Sequence, residues 1–244
     1  MINFFIKKSP LLKNLSLDMH NHILPGIDDG AVDVEESEKM RYALKERGID
    51  TCIFTPHIFK EFYPNNEDTI NPQYDLLKNS SNFHNDFPND RYAAEYMVDH
   101  NFYELLETGA PLLCIKDKKV LIEFSSIMMP INYDEIIFKL RVAGYTPIIA
   151  HPERYLYLSG NVNYEKVINL KDMGCEFQLN LLALNGNYSK YVNNFAIKLL
   201  KENLYDYSST DIHHYFQIVE LDKLLYSSTW KKWASYPFKN IDLL

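Results

Sequence analysis

The sequence of 244 residues has only three cysteines, Cys52, Cys114 and Cys175, and they lie far apart. An odd number without a C-x2-C spacing predicts neither a disulfide framework nor a cysteine zinc site. Long apolar runs are also absent, since none reaches the roughly 18 to 20 residues that a membrane-spanning helix needs. The first residues lack the basic start and apolar run of a signal peptide. We therefore expect a cytoplasmic protein without membrane insertion.

The sequence has no excess of basic residues, because 25 Lys and Arg face 33 Asp and Glu, giving a formal net charge of −8. Such a charge does not attract nucleic acid or an acidic membrane surface, so a nucleic-acid partner is not expected. Low-complexity tracts and flexible linkers are absent as well. We expect one domain over residues 1–244, in which residues 1–16 form an N-terminal extension before the first strand-like run.

Short apolar runs rich in β-forming residues alternate with longer helical segments along the sequence. The seven strand-like runs are 15–19, 50–55, 91–97, 119–125, 146–151, 175–180 and 204–210. Helical segments are expected at 33–47, between 72 and 85, at 99–107, 133–143, 164–173 and 188–203, and from about 213 onward. This alternation predicts an α/β fold with parallel strands joined by crossover helices. A closed or nearly closed barrel of seven strands fits best, and a doubly wound open sheet fits the same pattern.

Histidines and acidic residues stand at the ends of six of the seven strand-like runs. They are His20, His22, His57, Glu95, Glu123, His151, Asp211 and His213. In parallel β/α proteins, active sites form at the carboxyl ends of the strands, so these side chains should meet at one edge. His20 and His22 point the same way on an extended strand, because the side-chain period is two. The sixth run ends in Gln178 and Asn180, which are weak metal ligands.

Each of these residues alone has an ordinary structural explanation. A single histidine at a strand end is more often hydrogen-bonded than metal-bound, and Asp28 and Asp29 suit a turn or a helix cap. Separate structural needs do not predict such groups at nearly every strand end, however, and buried acids and histidines need the compensation that metal ions provide. Mixed ligands suit Mn, Fe or Zn, and the number of candidates predicts at least two ions with Glu95 as a bridge. Clustered metals of this kind favour hydrolysis, especially phosphoryl transfer to water.

Five segments, in order along the chain, carry a more specific signal. They are DMHNHILPGIDDGA from residue 18, TPH at 55–57, IEFS at 122–125, AHPERY at 150–155 and SSTDIH at 208–213. These segments resemble the polymerase and histidinol phosphatase (PHP) superfamily. Within it they are most similar to the CpsB/CapC-like branch, the bacterial manganese-dependent tyrosine-protein phosphatases of capsule and exopolysaccharide synthesis. An H-x-H pair alone is unspecific, whereas its combination with L-P-G-x-D-D-G and A-H-P-E-R-Y is typical of this branch.

The resemblance implies a distorted (β/α)7 barrel and a site for three Mn²⁺ ions, with Fe or Zn as alternatives. By motif, one ion takes His20, His22, Glu95 and Asp211, a second shares Glu95 and adds Glu123 and His151, and a third takes Asp28, His57 and His213. Asp29 is the alternative to Asp28, because the register of neighbouring aspartates is not decided by the motif. Arg154 is implied to bind the substrate phosphate, which its planar guanidinium suits. The implied catalytic residues are Arg154, Asp211 and His213, with in-line attack by a metal-bound hydroxide and no phospho-enzyme.

The substrate that the resemblance implies is phosphotyrosine on a protein, in particular a bacterial tyrosine kinase that controls capsule or exopolysaccharide synthesis. A cysteine-dependent phosphatase is not expected, because no cysteine begins a C-x5-R motif. Two alternatives stay open: a small-molecule phosphatase such as histidinol phosphatase, and a non-catalytic, metal-stabilised binding module. The net negative charge disfavours a nuclease. A protein substrate needs an open mouth with aromatic walls, for which the candidates are Phe59, Phe62, Tyr63, Tyr155 and Tyr157.

Overall fold

The computed structural model describes residues 15–80 and 83–244, so most of the N-terminal extension lies outside the described residues. Within these ranges the strands are β1 Leu17–Asp18, β2 Thr51–Phe54, β3 His57–Ile58, β4 Arg91–Tyr92, β5 Glu95–Met97, β6 Lys119–Glu123, β7 Thr146–Ala150, β8 Glu176–Asn180 and β9 Tyr207–Ser209. The α-helices are α1 Val34–Glu46, α2 Glu67–Lys78, α3 Phe83–Asp86, α4 His100–Thr108, α5 Tyr133–Val142, α6 Asn161–Asp172, α7 Lys190–Lys201, α8 Gln217–Leu225 and α9 Ser228–Trp233. None of these helices combines the length and the apolar character needed to cross a membrane.

The strands form two parallel sheets, one with the order β1-β2-β4 and one with the order β3-β5-β6-β7-β8-β9. β2 lies in the second strand-like run and β3 follows directly after it, whereas β4 and β5 are the two halves of the third run. The two sheets therefore continue into each other, and the seven runs follow one another around a single circuit. The expected α/β fold with parallel strands and intervening helices is confirmed.

The circuit meets itself between β9 and β1, where no continuous ladder is formed. The backbone N–H of Asp211 donates to the carbonyl of His20 at 2.9 Å, and the N–H of His22 donates to the carbonyl of Ile212 at 2.9 Å. We call this junction the seam. It brings the first and last strands together through backbone bonds just beyond their ends, which makes the barrel distorted, as the resemblance implied.

Buried polar side chains hold the seam together. Asp18 in β1 accepts hydrogen bonds from the hydroxyls of Ser209 and Thr210, and from the N–H of Thr210 at 3.0 Å. Asn240 donates to the carbonyl of Leu17 at 3.0 Å and also bonds to the backbone of β9. Because buried polar groups are almost always paired, these bonds align the two strands and fix the residues that follow them.

Apolar side chains pack on both faces of the strands. In β6 and β7, Val120 and Ile149 belong to the large cluster between strands and helices. Leu121 and Ile148 alternate with them and pack with Tyr207 in a smaller cluster inside the barrel. This alternation of neighbouring side chains is the period expected of a strand. It leaves the interior filled with apolar side chains below the carboxyl ends.

Two helices begin where the sequence did not predict. α2 starts at Glu67, although a helix was expected between residues 72 and 85, and Pro72 lies inside it. The expected start was wrong because Asn66 and Thr69 form a capping box upstream of the proline, which outweighs the loss of one backbone donor. The last helical segment, expected from about residue 213, begins as α8 at Gln217.

Candidate metal centre

Eight predicted ligands converge at the carboxyl ends of the strands. They are His20, His22, His57, Glu95, Glu123, His151, Asp211 and His213. In overlapping groups of three or four, their ligand atoms lie within 4.8 Å of one another. Residues up to 193 positions apart in the sequence therefore share one mouth, as expected for parallel strands around a barrel.

His20 is oriented from behind by Gln178. Its Nδ1 lies 3.0 Å from Oε1 of Gln178, whose amide nitrogen donates to the carbonyl of Leu179 at 2.7 Å. Since the amide oxygen can only accept, Nδ1 of His20 carries a proton. In the neutral ring the lone pair is then on Nε2, the atom that faces the other ligands.

His22 is oriented in the same way by Asp28. Its Nδ1 donates to Oδ2 of Asp28 at 2.8 Å, so its Nε2 also presents a lone pair. The Nε2 atoms of His20 and His22 are only 3.3 Å apart. Hydrogen bonds to the outer ring nitrogen are typical of metal-ligating histidines, because they fix the tautomer and the ring orientation.

Two carboxylate oxygens complete this group. Oε2 of Glu95 lies 3.1 Å from Nε2 of His20 and 3.4 Å from Nε2 of His22. Oδ1 of Asp211 lies 3.3 Å and 3.4 Å from the same two atoms. Both oxygens are buried and have no hydrogen-bond partner among the described residues. Four lone-pair atoms so close together repel one another unless a cation lies between them, so the residues fit a divalent metal.

The pKa values of the cluster reflect the same demand for positive charge. Burial alone would lower the pKa of His20, but the carboxylates of Glu95 and Asp211 outweigh burial and raise this pKa to about 9. Burial would raise the pKa of Glu95 and of Asp211, yet His20 and the other histidines hold both well below their usual range. The carboxylates thus draw either protons or metal cations to the site, and metal binding releases the protons.

A second group of ligands adjoins the first through Glu95. Nε2 of His151 lies 3.0 Å from Oε1 of Glu95 and 3.8 Å from Oε2 of Glu123. Nδ1 of His57 lies 3.2 Å from Oε2 of Glu95 and 3.1 Å from Oε1 of Glu123. Glu95 therefore contacts histidines of both groups of ligands.

The backbone is strained at two of these positions. His151 follows Ala150, which faces the barrel interior, so an extended chain would turn the next side chain toward the helices. A φ of 32° at His151 turns its imidazole into the mouth instead, and Asp211 also has a positive φ of 50°. Such conformations cost about 1 to 3 kcal/mol in residues other than glycine, and they persist where the surrounding structure holds them.

The neighbouring residues Asp28 and Asp29 occupy different environments. Oδ2 of Asp28 accepts from Nδ1 of His22 and from the backbone N–H of His57 at 3.1 Å, and its other oxygen accepts from a backbone N–H of the turn. Burial would raise the pKa of Asp28, but His22 outweighs it and lowers the pKa to about 2. Oδ1 of Asp29 lies 3.6 Å from Nε2 of His57 and 3.7 Å from Nε2 of His213. The structure thus brings Asp29 together with His57 and His213, and it places Asp28 behind His22.

Arg154 lies at the edge of the cluster. Its Nη1 donates to Oδ2 of Asp211 at 3.0 Å, and its guanidinium lies over the ring of Tyr188 at 5.1 Å. Nδ2 of Asn180 donates to the same oxygen of Asp211 and to the hydroxyl of Tyr188, each at 2.7 Å. The side chain of Arg154 is 32% exposed. It is thus anchored on one edge, and a guanidinium has four further N–H donors for an anion.

Sequence reasoning set Gln178 and Asn180 aside as weak ligands and missed their role. Besides orienting His20, Gln178 accepts from the backbone N–H of His151 at 3.2 Å. Asn180 orients Asp211, and its own N–H donates to the buried carboxylate of Glu153 at 2.8 Å. The sequence did hold a signal for this role. The sixth strand-like run ends in the amides Gln178 and Asn180 where the other runs carry a histidine or an acid, and buried amides need hydrogen-bond partners.

A cavity of about 190 Å³ opens beside the ligands. Its lining consists of Asp29, His57, Phe59, Tyr63, Met97, Glu123, Arg154, Asp211 and His213. Of the five aromatic residues expected as walls, Phe59 and Tyr63 take part. The others do not: Phe62 is exposed beyond the lining, Tyr157 bonds to a backbone carbonyl, and the buried hydroxyl of Tyr155 accepts from a backbone N–H.

Fold and site together define a parallel α/β barrel protein with a His- and carboxylate-rich centre for divalent cations at the carboxyl ends of its strands. A family model described as capsular polysaccharide synthesis, CpsB/CapC, matches residues 16–218. The chain belongs to the CpsB/CapC family, as its motifs predicted.

Named relatives support the same placement. Tyrosine-protein phosphatase YwqE from Bacillus subtilis is 31% identical over 199 residues, which cover 81% of this chain and 77% of that protein. Tyrosine-protein phosphatase CpsB from Streptococcus pneumoniae is 28% identical over 206 residues, covering 81% and 83%. A crystal structure from work on these two proteins, described there as unique metal-dependent tyrosine phosphatases, matches with a TM-score of 0.72 and 29% identity over 92% of this chain and 94% of that one. These names agree with the enzyme class that the resemblance implied.

Proposed function

We propose that this chain is a metal-dependent protein-tyrosine phosphatase, which hydrolyses the phosphate monoester of phosphotyrosine in proteins. The observation that carries the proposal is the convergence of potential metal-ligating atoms from His20, His22, Glu95 and Asp211 beside Arg154. Cations at such a centre and a guanidinium at its edge are what a phosphate monoester needs for binding.

Three groups of ligands, of which the first two share Glu95, support a site for three ions. The groups we propose are His20, His22, Glu95 and Asp211; Glu95, Glu123 and His151; and Asp29, His57 and His213. We assign Asp29 to the third group in place of Asp28, because the oxygens of Asp28 already accept three hydrogen bonds. Mn²⁺ is the proposed ion, and Fe and Zn are the alternatives for such mixed donors. When bound, these cations supply hydroxide from water near neutral pH and positive charge against the phosphate oxygens.

Residues of the chain position the substrate. Arg154 binds the phosphate through N–H groups that Asp211 does not occupy, and Tyr188 supports its guanidinium from below. Nδ1 of His213 lies 3.0 Å from the backbone carbonyl of Asp211, to which it donates, which leaves a lone pair on Nε2. Burial and then His22 lower the pKa of His213 to about 4, so this ring is neutral at pH 7. Phe59 and Tyr63 provide the apolar wall for the aromatic ring of the substrate.

The proposed substrate is a bacterial tyrosine kinase that controls capsule or exopolysaccharide synthesis. Two observations support this: the family is described by capsular polysaccharide synthesis, and the named relatives are tyrosine-protein phosphatases. We propose a cytoplasmic location, which the three free cysteines support because reducing compartments keep thiols unpaired.

Hydrolysis of three substrates by one preparation tests the proposal. The purified chain is stripped with EDTA, reloaded with Mn²⁺, and given a phosphotyrosine peptide, histidinol phosphate and bis(p-nitrophenyl) phosphate. We expect the peptide to be hydrolysed with the highest kcat/KM, loss of activity in EDTA, and little inhibition by orthovanadate. Preference for histidinol phosphate would establish the small-molecule alternative, and metal binding without any turnover would establish the binding module.

A matched pair of variants completes this experiment. Asp211→Asn removes one of the unpaired ligand oxygens, so we expect loss of metal and of activity. Asp222→Asn changes an acid that pairs with Arg47, away from the mouth, and should keep both. Equal activity of the two variants would contradict the proposed role of the cluster.

A further inference from the structure

A second cavity, of about 430 Å³, adjoins the cavity beside the ligands. This volume lies within the range of about 300 to 1,000 Å³ that is typical of ligand pockets. Its apolar lining comes from Ile58, Tyr96, Met97, Phe102 and Leu105, on β3, β5 and α4. We call this cavity the side cleft. No predicted ligand lines it, so it is distinct from the metal centre.

The side cleft and the ligand cavity use opposite faces of the same two strands. In β3 and β5, His57 and Glu95 face the ligands, and their neighbours Ile58 and Tyr96 face the side cleft, as the strand period of two requires. Met97, at the end of β5, lines both cavities. The two cavities therefore meet at Met97, the residue that their linings share.

Three polar side chains of the side cleft, those of Tyr96, Asp99 and Asn65, already form hydrogen bonds within the protein. The hydroxyl of Tyr96 accepts from the N–H of Leu113 at 2.8 Å, and Asp99 accepts from the N–H of Phe102 at 2.9 Å. The amide of Asn65 donates to two backbone carbonyls at 3.0 and 2.9 Å. What remains for an occupant is mainly apolar surface, which fits an apolar side chain.

Exposed apolar residues also surround the mouth. Phe62, Ile127, Leu156 and Phe216 are 67%, 84%, 40% and 65% exposed, and each lies in a segment that follows a different strand. A single exposed apolar side chain is ordinary, but several around one opening are typical of a surface that contacts another protein. A small phosphate ester would leave these residues uncovered, whereas a protein substrate would contact them.

We propose that the side cleft binds an apolar side chain of the protein substrate, located close in sequence to the phosphotyrosine. This inference rests on the proposed function, because a phosphate held beside Arg154 places the adjoining residues of the substrate against Met97. The charged residues of the lining are Lys60, Asp99 and Glu104. Their sum is negative, which disfavours an acidic side chain in the cleft. The enzyme therefore selects substrates by an apolar residue beside the phosphotyrosine.

A peptide series with the unmodified, Mn²⁺-loaded chain tests this selectivity. A single Leu is moved from three positions before to three positions after phosphotyrosine in a Gly/Ser peptide, and a parallel series carries Asp. We expect Leu at one position to raise kcat/KM about tenfold or more over the Gly/Ser peptide, as burial of a leucine side chain allows. Asp at that position should give no increase.

The control substrate is p-nitrophenyl phosphate, which cannot reach the side cleft. If it is hydrolysed and all peptides have equal kcat/KM, or none is hydrolysed, the inference is overturned while a phosphatase activity stands. If no substrate is hydrolysed, the proposed function fails and the inference fails with it.

Variants then locate the preference in the side cleft. Leu105→Glu introduces a charge into the lining, so we expect the ratio of kcat/KM between the Leu and Gly/Ser peptides to fall toward one. Leu76→Glu is the matched control, because Leu76 is exposed on α2 and does not line the cleft; it should keep the ratio. Thr108→Trp, at an exposed lining position, serves if the Leu105 variant does not fold. A ratio unchanged in both lining variants would overturn the inference.

Discussion

Single residues decide which nitrogen of each histidine is free to bind a metal. Gln178 fixes the proton of His20 on Nδ1, and Asp28 does the same for His22. Neither residue needs to touch an ion in order to set the affinity of the site, because each controls the lone pairs of a ligand. The same logic applies to Asn180, which holds the carboxylate of Asp211.

Replacement of Gln178 tests this control. Gln178→Leu removes the acceptor for His20 Nδ1 and for the N–H of His151, so the imidazole loses its fixed tautomer. We expect Mn²⁺ affinity to fall about 10- to 100-fold, the usual effect of losing such a partner. Isothermal titration of the EDTA-treated protein measures it. Gln178→Glu keeps the acceptor oxygens and should bind Mn²⁺ more tightly than the Leu variant; the opposite order would contradict this account.

Arg154 offers a second test at this scale. Arg154→Lys keeps the charge but loses the planar fork, so we expect kcat/KM for a phosphotyrosine peptide to fall about 10- to 100-fold, equivalent to losing one charge-assisted hydrogen bond. Steady-state kinetics measure it. Arg47→Lys, which alters a pair with Asp222 away from the mouth, is the control. Wild-type kinetics in the Arg154 variant would remove this residue from phosphate binding.

The period of two along a strand predicts that His20 and His22 share a target, and the structure shows this convergence. The same reasoning does not separate Asp28 from Asp29, because side chains in a turn have no fixed period. It also does not find Gln178, since the contact with His20 joins positions 158 residues apart. Roles that depend on such contacts leave no local pattern in a sequence.

At the scale of elements, the alternation of apolar runs and helical segments predicts where strands form, and each of the seven strand-like runs contains at least one strand. It does not predict that β3 forms beyond the end of the second run or that the third run divides into β4 and β5. The start of α2 is a case in which one local signal, the capping box of Asn66 and Thr69, outweighs another, Pro72. The alternation also does not predict the 3₁₀ turns at Pro152–Arg154 and Leu181–Asn185, which follow β7 and β8.

Asn240 tests the element-scale account of the seam. Asn240→Ala leaves buried backbone groups of β1 and β9 without partners, and each such group costs about 1 to 3 kcal/mol. We expect a lower midpoint in urea unfolding with an unchanged slope. Asn79→Ala, at the exposed end of α2, should change the free energy of unfolding by no more than about 0.5 kcal/mol. Equal midpoints for the two variants would show that Asn240 does not support the seam.

For the whole molecule, the alternation could not decide between a barrel and an open sheet. Both arrangements use the same strands and helices, and they differ in the order of the strands and in whether the first and last strands meet. That contact depends on pairs such as Asp18 with Thr210, which are 192 positions apart. The convergence of ligands at strand ends favours the barrel indirectly, because it places His20, just after the first strand, next to Asp211, just after the last.

Metal removal should affect the stability of the whole molecule, because the ligands come from strands all around the barrel. At a free ion concentration of about 100 times Kd, one site stabilises by about 2.7 kcal/mol. For a chain of this size we expect Mn²⁺ to raise Tm by about 5 to 10 °C over the EDTA-treated protein. Thermal unfolding measures this shift. Asp222→Asn should retain the shift and Asp211→Asn should lose most of it; an equal shift in both would place binding elsewhere.

The seam also has a consequence for the order of events during synthesis. On the ribosome, His20 emerges long before Asp211, which must lie beside it. A nascent chain can form several strands and helices but cannot yet hold the first group of ligands together, because loop closure over so many residues is required. The first group of ligands can therefore take up an ion only after Asp211 has emerged, and a product that ends before Asp211 would lack this ligand and the activity that depends on it.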